Sequence, residues 1–354
     1  MKSSKKIIYI NGRFLSQKVT GVQRFAFTQV SRLANSFHVV VLCPKNINQS
    51  NIKNLPSSIE LKIIGFYKGH LWEQICLPLY LIRNGSPQII SFSGLSPILY
   101  TKNIFTIHDL SFRHNRDWFS LGYYLWYSIA YALLLRTSCR VITVSEFSKS
   151  EILKYYSVEP SKIKVVYNTV PEFQQGSQIK NLKNEKYILT VSSLEPRKNL
   201  QLLIDAFTEL NIDHVQLYIV GTTNKVFNFS GFTDLTSSNV KFLGYVSDQE
   251  LEALYRGAEF FVYPSLYEGF GLPPTEAISY GTPILCSDID SIKEVCGDVP
   301  EYFHTNDLSH LKKMIVSMLE TPKSKEIYSL EAEKQLLLLK TKQERYSILN
   351  AIDE

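Results

Sequence analysis

No run of lysine or arginine longer than a pair occurs in the 354 residues. Nucleic-acid binders concentrate positive charge on one element, so a net charge of +5 spread this thinly argues against that class. It fits a phosphate-bearing small substrate or an anionic membrane surface equally well. Cysteine is sparse. Cys43, Cys76, Cys139, Cys286 and Cys296 lack metal-binding spacing and sit mostly in apolar runs, so buried thiols in a reducing compartment are expected. The seven histidines form no metal-ligand constellation, and neither metal nor cofactor is expected. The start, "MKSSKKIIYINGRF", has the positive charge of a signal peptide without its apolar stretch. A cytoplasmic protein is expected, with its first strand beginning near Lys6. The first loop, "NGRFLSQKVTGVQRF", fits neither the P-loop nor the dinucleotide-binding glycine pattern and is read as flexible, with Gly12 and Gly21 before a helix.

A membrane-spanning run is also lacking. The stretch "WFSLGYYLWYSIAYALLL", Trp118 to Leu135, is eighteen uncharged residues, at the lower limit for a span. Tyrosines, serines and Gly122 interrupt it, and tryptophan and tyrosine favour interfaces. It is read as a buried or membrane-surface helix.

What the chain does have is a large apolar fraction, 45%, beside 20% charged residues, enough to bury about two domains of ordinary size. Apolar runs alternate with amphipathic stretches: "KKIIYI", "HVVVLC", "PQIISF", "NIFTIHD" and "RVITVSE", then "KYILTVSSL", "VQLYIVG", "VKFLGYV", "AEFFVYPS" and "TPILCSD". Strands separated by helices imply parallel α/β layering. The polar stretch Pro171 to Glu185 divides the two series. The expectation is two doubly wound Rossmann-like domains, 1–170 and 186–335, joined by a linker at 171–185, with a helix at 336–354 packing back on the first. Ligands of such sheets bind beyond the strands' carboxyl ends, and the cleft between two such domains is the natural site.

The strand-to-helix loops carry the chemistry. In "TVSSLEPRKNLQLLIDAF", Arg197 and Lys198 stand where a helix begins, although its dipole is already positive there. Two cations beside helix-start amides suit a diphosphate; the alternative is two solvated charges, with Asn199 as an ordinary helix cap. In "YPSLYEGFGLPPTEAISYG", the glycines allow close backbone approach and Pro273 and Pro274 fit a helix start. Glu276 would then lie in the first turn, where a carboxylate is favourable. Glu268 sits between aromatic residues with no cation nearby in sequence, as an acceptor of ligand hydroxyls would. His108 and Asp109 end a strand in "FTIHDLSF"; His108 is suited to binding a sugar hydroxyl or moving a proton, and equally to a structural role.

Together these loops resemble family 4 of the retaining glycosyltransferases, which have the GT-B architecture. "PSLYEGFGLPPTEAISYGTPILCSD" is similar to that family's E-x7-E region, and "RKNLQLLIDAF", "VKFLGYVSDQELEALYRGAEFFVYPS", "TIHDLSF", "VITVSEFSKSEI" and "KVVYNTV" follow the family's order. The resemblance implies that Glu268 holds donor-sugar hydroxyls and Glu276 the ribose. It implies that the amides of Phe270, Gly271 and Leu272 approach sugar and phosphate, and that Gly244 to Val246 lie beside the base. It assigns Arg197 and Lys198 to the departing diphosphate, His108 to the donor sugar, and Gly21 and Asp109 to the acceptor side. The implied donor is a nucleoside-diphosphate hexose, and the implied acceptor a lipid-linked glycan of bacterial O-antigen, capsule or exopolysaccharide. Trp118 to Leu135 would touch the inner face of the plasma membrane. Departures are Ser192-Ser193, where many members have Gly-Arg, and Asn168-Thr169 for Asn-Gly. The "LEPRKN" form resembles a subgroup associated with surface polysaccharide and points toward GDP-mannose or a related GDP-sugar. Two alternatives stand beside the transferase: a glycoside hydrolase using Glu268 and Glu276 as its acid–nucleophile pair, and a non-catalytic partner subunit that binds a nucleotide sugar.

Overall fold

The computed structural model describes residues 5–170, 185–221 and 239–353. The linker expected at 171–185 lies, but for Glu185, outside the described residues. The chain divides into two compact units: Met1–Thr169 with Lys342–Glu354 (unit 1), and Val170–Thr341 (unit 2).

Unit 1 holds a sheet of seven strands: β1 (Ile7–Asn11), β2 (His38–Cys43), β3 (Glu60–Ile63), β4 (Ile89–Ser91), β5 (Asn103–Ile107), β6 (Arg140–Thr143) and β7 (Ile163–Val165). Their order is β3-β2-β1-β4-β5-β6-β7, and every described pairing is parallel. The central strands are rich in β-branched residues and buried, as strands covered by helices on both faces require. The edge strands β3 and β7 were not among those expected. β3 is mostly exposed, so it carries no continuous apolar run to announce it.

The stretch from Trp118 contains the helix Leu121–Thr137, capped by the Ser120 side chain. Ala130, Tyr131, Leu134 and Leu135 turn inward onto Phe105, Phe112 and Ile152. The opposite face leaves Leu125, Ile129 and Leu133 in solvent, with Ile129 59% exposed. No described helix is long and apolar enough to cross a membrane. Near the end of the chain, Gln343 Nε2 donates to the Asn168 carbonyl at 2.8 Å and Tyr346 stacks on Tyr167 at 5.2 Å, both inside unit 1. Four cysteines are buried as expected, whereas Cys139, just before β6, is exposed.

Among its described residues unit 2 holds six parallel strands: β8 (Tyr187–Val191), β9 (Gln216–Val220), β10 (Val240–Gly244), β11 (Phe260–Tyr263), β12 (Ile284–Ser287) and the unforeseen edge strand β13 (Glu301–Phe303). The order is β10-β9-β8-β11-β12-β13. Helix Leu200–Leu210 presses Leu203, Ile204 and Phe207 onto Leu217 and Ile219 of the sheet, with Leu311 and Ile315 of helix Leu308–Glu320 beside them. In each unit the chain builds outward from its first strand and then returns to that strand's other side. The reversal falls between β1 and β4 in unit 1 and between β8 and β11 in unit 2. Parallel sheets leave a crevice for ligands at such reversals.

Candidate active site

At the reversal in unit 2 two loops meet. β8 runs through Ser192 and Ser193 into a 3-10 turn, Pro196–Lys198, and β11 ends at Tyr263 and runs on to Glu268. The Leu266 N–H donates to the Arg197 carbonyl at 2.8 Å and ties one loop to the other.

This brings Arg197, Lys198 and Glu268 together. Lys198 Nζ lies 2.5 Å from Glu268 Oε1, and Arg197 Nη1 lies 3.1 Å from Oε2. The absence of a cation beside Glu268 in sequence is therefore overturned in space: partners seventy and seventy-one residues away supply two. All three side chains are largely buried, so the pairing is felt at reduced dielectric. Burial pushes the Glu268 carboxyl up, but the charges of Lys198 and Arg197 overcome it and bring it down to about 2. Burial and the charge of Arg197 lower the Lys198 ammonium, opposed by Glu268.

Three further residues complete the network: Tyr263 and Glu195 were missed in the sequence, and Ser193 was noted there only as a departure from Gly-Arg. The Tyr263 hydroxyl donates to Glu268 Oε1 at 2.8 Å and accepts from Lys198 Nζ at 2.9 Å. Glu195 takes Arg197 Nε at 2.8 Å and the Ser193 hydroxyl at 3.0 Å. Tyr263 had a usable signal, as a polar tip at the carboxyl end of the buried apolar strand β11. Glu195 had none, because a carboxylate two residues from an arginine looks like a surface pair. The site balances two carboxylates against two cations, and a diphosphate would enter by competing for the cations.

Downstream, Gly271 precedes helix Leu272–Ser279 with φ +101°. Pro273 and Pro274 occupy the first turn and have no N–H, so Gly271 and Leu272 supply the donors this helix start can offer. Phe270 is buried. Glu276 is not in the first turn, as expected from sequence, but one residue beyond it; its Oε2 accepts from the buried Tyr255 hydroxyl at 3.3 Å. Asn199 is not an ordinary cap either. It takes a left-handed conformation, φ 51°, and its side chain makes no capping hydrogen bond. Gly244 ends β10, its carbonyl accepting from the Gly221 N–H at 2.9 Å, and Val246 follows half-buried. Gly271→Ala places a Cβ 2.3 Å from Ile292 Cδ1 at a φ that costs a non-glycine residue about 1–3 kcal/mol. A thermal melt several degrees below wild type is the expected result.

His108, Asp109 and Gly21 lie in unit 1. His108 Nε2 is 2.7 Å from the Phe92 carbonyl, which can only accept, so Nε2 carries the hydrogen and Nδ1 the lone pair. Burial lowers its pKa and so favours the neutral ring, opposed by that carbonyl and by Asp109. Asp109 Oδ1 accepts from the Ser111 N–H at 3.0 Å and hydroxyl at 2.7 Å, closing a turn. Gly21 opens helix Gly21–Ser36 behind a capping box of Thr20 and Gln23.

Two doubly wound units of parallel strands, each reversing beside its first strand, have the GT-B fold. Residues 19–172 match the family described as Glycosyltransferase Family 4, and residues 173–335 match Glycosyl transferases group 1. The chain belongs to glycosyltransferase family 4. It is 32% identical over 206 residues to O-antigen chain mannosyltransferase B of Escherichia coli, covering 53% of this chain and 53% of that protein. To the O-antigen chain mannosyltransferase RfbU of Salmonella typhimurium it is 28% identical over 277 residues, 77% of this chain and 75% of that one. Among solved structures, sucrose-phosphate synthase from Thermosynechococcus elongatus superposes with a TM-score of 0.73 at 16% identity, over 98% of this chain and 100% of that one. WaaG, a glycosyltransferase involved in lipopolysaccharide biosynthesis, gives 0.68 at 15% identity, over 97% and 99%. At such identities these two speak for the fold alone.

Proposed function

We propose that the protein is a retaining, metal-independent hexosyltransferase. It moves a hexose, GDP-mannose being the first donor to test, onto a lipid-linked oligosaccharide of O-antigen, capsule or exopolysaccharide. The convergence of Lys198 and Arg197 on Glu268 carries this reading, and the mannosyltransferase names of the two relatives support the sugar. As the bond from sugar C1 to the diphosphate oxygen breaks, negative charge grows on the diphosphate. Lys198 and Arg197 stabilise it as preorganised cations. The acceptor oxygen bonds to C1 on the same face, and its proton passes to the leaving phosphate, so no enzymic nucleophile is required. Glu268 orients sugar hydroxyls and Glu276 the ribose. His108, neutral and with an Nδ1 lone pair, is assigned to a hydroxyl of the donor sugar. The exposed face of helix Leu121–Thr137 is assigned to the inner face of the plasma membrane.

The hydrolase alternative asks one of the two glutamates to deliver a proton. Glu268, brought down to about 2 and paired with two cations, is not suited to that proton near neutral pH, which leaves the acid role in a hydrolase to Glu276. A nucleoside diphosphate should raise the melting temperature. A ligand at a hundred times its Kd stabilises the native state by about 2.7 kcal/mol. GDP is expected to give the largest shift among GDP, UDP, ADP and dTDP, and no shift with any of the four at millimolar concentration would remove the reading. Turnover of GDP-mannose with a lipid-linked acceptor by the purified chain alone separates a transferase from a non-catalytic subunit.

A further inference from the structure

The strand reversal in unit 1 is tied up internally. Its first loop, expected to be flexible, is a 3-10 turn, Gly12–Ser16, and Arg13 pairs with the buried Glu73 at 2.8 Å. The outer edge of the same sheet is different. β3 lies beyond β2 and, among the described residues, no strand follows it. Its parallel register on β2 sets Glu60 beside Val40, Leu61 beside Val41, Lys62 beside Leu42 and Ile63 beside Cys43. Just past the strand, the Ile64 N–H donates to the Cys43 carbonyl at 2.9 Å, so residue 64 turns its backbone toward β2. Backbone direction alternates along a strand, so Glu60 and Lys62 also face β2, while Ile59, Leu61 and Ile63 point their backbone outward. The Ile59 N–H is taken locally by the Pro56 carbonyl at 3.2 Å. The outward groups are then the Ile59 carbonyl and the N–H and carbonyl of Leu61 and Ile63.

The sequence of this edge is complementary to its own reverse. In "IELKI", Ile59 to Ile63, isoleucine stands at both ends, leucine at the centre, and glutamate and lysine at mirror positions. Laid antiparallel about a two-fold axis through Leu61, the strand matches a second copy of itself at every position. Leu61 meets the second copy's Leu61, and Ile59 meets the second copy's Ile63, all on one face of the sheet. Glu60 meets the second copy's Lys62 on the other face, twice by symmetry. The outward backbone groups fit the same register. The two Leu61 residues exchange N–H and carbonyl, and each Ile63 N–H reaches the Ile59 carbonyl of the other copy. Moving the axis to Glu60 or to Lys62 sets like charges against each other, so charge selects the register centred on Leu61.

The edge is open to such a partner. Glu60 and Lys62 are exposed, Ile63 is 54% exposed, and Phe66, just beyond the strand, is 69% exposed with its ring 4.4 Å from that of Tyr67. His38 Nε2 at 3.0 Å steadies the Glu60 carboxylate, and Lys62 Nζ lies over the Tyr80 ring at 5.3 Å. Natural sheets often guard an open edge with a lysine, whose charge keeps a foreign strand away. Here a glutamate stands at the one position that answers the lysine, so the same charge admits this strand and rejects others. We infer that β3 is a self-association edge, and that two copies of this chain join through Ile59–Ile63 into one continuous sheet. So short an edge buries little surface, and the association is weak and reversible. The pairing goes beyond the transferase reading and does not rest on it.

Sedimentation velocity of the full chain over a concentration series tests this, and a monomer–dimer equilibrium is expected. Lys62→Glu and Glu60→Lys should each weaken it by about tenfold or more, since both opposed pairs become like-charged. Mixed in equal amounts, the two variants should associate with each other as wild type does with itself. The doubly exchanged chain, Glu60→Lys with Lys62→Glu, should recover self-association. Circular dichroism should show all three variants folded, because both positions are exposed. The inference is overturned if wild type stays monomeric throughout the series, if either single variant associates as wild type does, or if neither the mixture nor the exchanged chain recovers.

Discussion

Lys198→Ala is expected to lower turnover by about 100- to 1000-fold, the scale on which a preorganised group at a developing oxyanion acts. The donor KM should move far less, because the ammonium counts most when charge has accumulated on the departing diphosphate. The fold should survive, since Glu268 keeps Arg197 at 3.1 Å and the Tyr263 hydroxyl at 2.8 Å. Steady-state kinetics of the purified variant check this, and a kcat within threefold of wild type would move the chemistry away from Lys198. Lys198→Arg should not restore activity, because a planar fork cannot take the place of a compact ammonium held between Glu268 and Tyr263.

Glu268→Ala should be the most damaging substitution for stability. It strands Lys198 inside the protein with only a tyrosine hydroxyl, and removing one partner of a buried pair costs about 3–5 kcal/mol. Urea denaturation measures the loss directly. Glu268→Gln keeps the volume and isolates the charge. The folded carboxyl titrates at about 2, below its ordinary 4.5, so its contribution to stability is complete above the ordinary value and fades as pH falls toward 2. Wild type should therefore lose stability through that acid window more steeply than Glu268→Gln, while near neutral pH the variant is the weaker of the two. Parallel acid profiles for the two proteins would show that Glu268 is not held by its cations in solution.

The architecture was largely legible in the sequence because nine of the ten expected strands are largely buried; β10, an edge strand with Phe242 and Leu243 exposed, kept apolar residues all the same. A strand covered on both sides must be an apolar run, and such runs cannot hide. The strands that escaped, β3, β7 and β13, lie toward or at sheet edges, where a strand needs fewer apolar residues. Arg197, Lys198, Glu268 and Gly271 were legible for the opposite reason. Each breaks a local rule, as a cation at a helix start, a carboxylate among aromatics, or a glycine before two prolines. Tyr263 and Glu195 obey local rules and were passed over.

The sequence by itself determined the layering, the family and the loops that form the candidate site, because burial and backbone conformation are local constraints written residue by residue. Only the tertiary structure decided who pairs with whom. Strand order carries β11 back beside β8, and that return places Lys198 against a carboxylate seventy positions away. The same return of β4 to β1 draws Asn11, which ends β1, onto Ser91, which ends β4. Such pairings depend on which strands become neighbours, and no single stretch of chain contains that information.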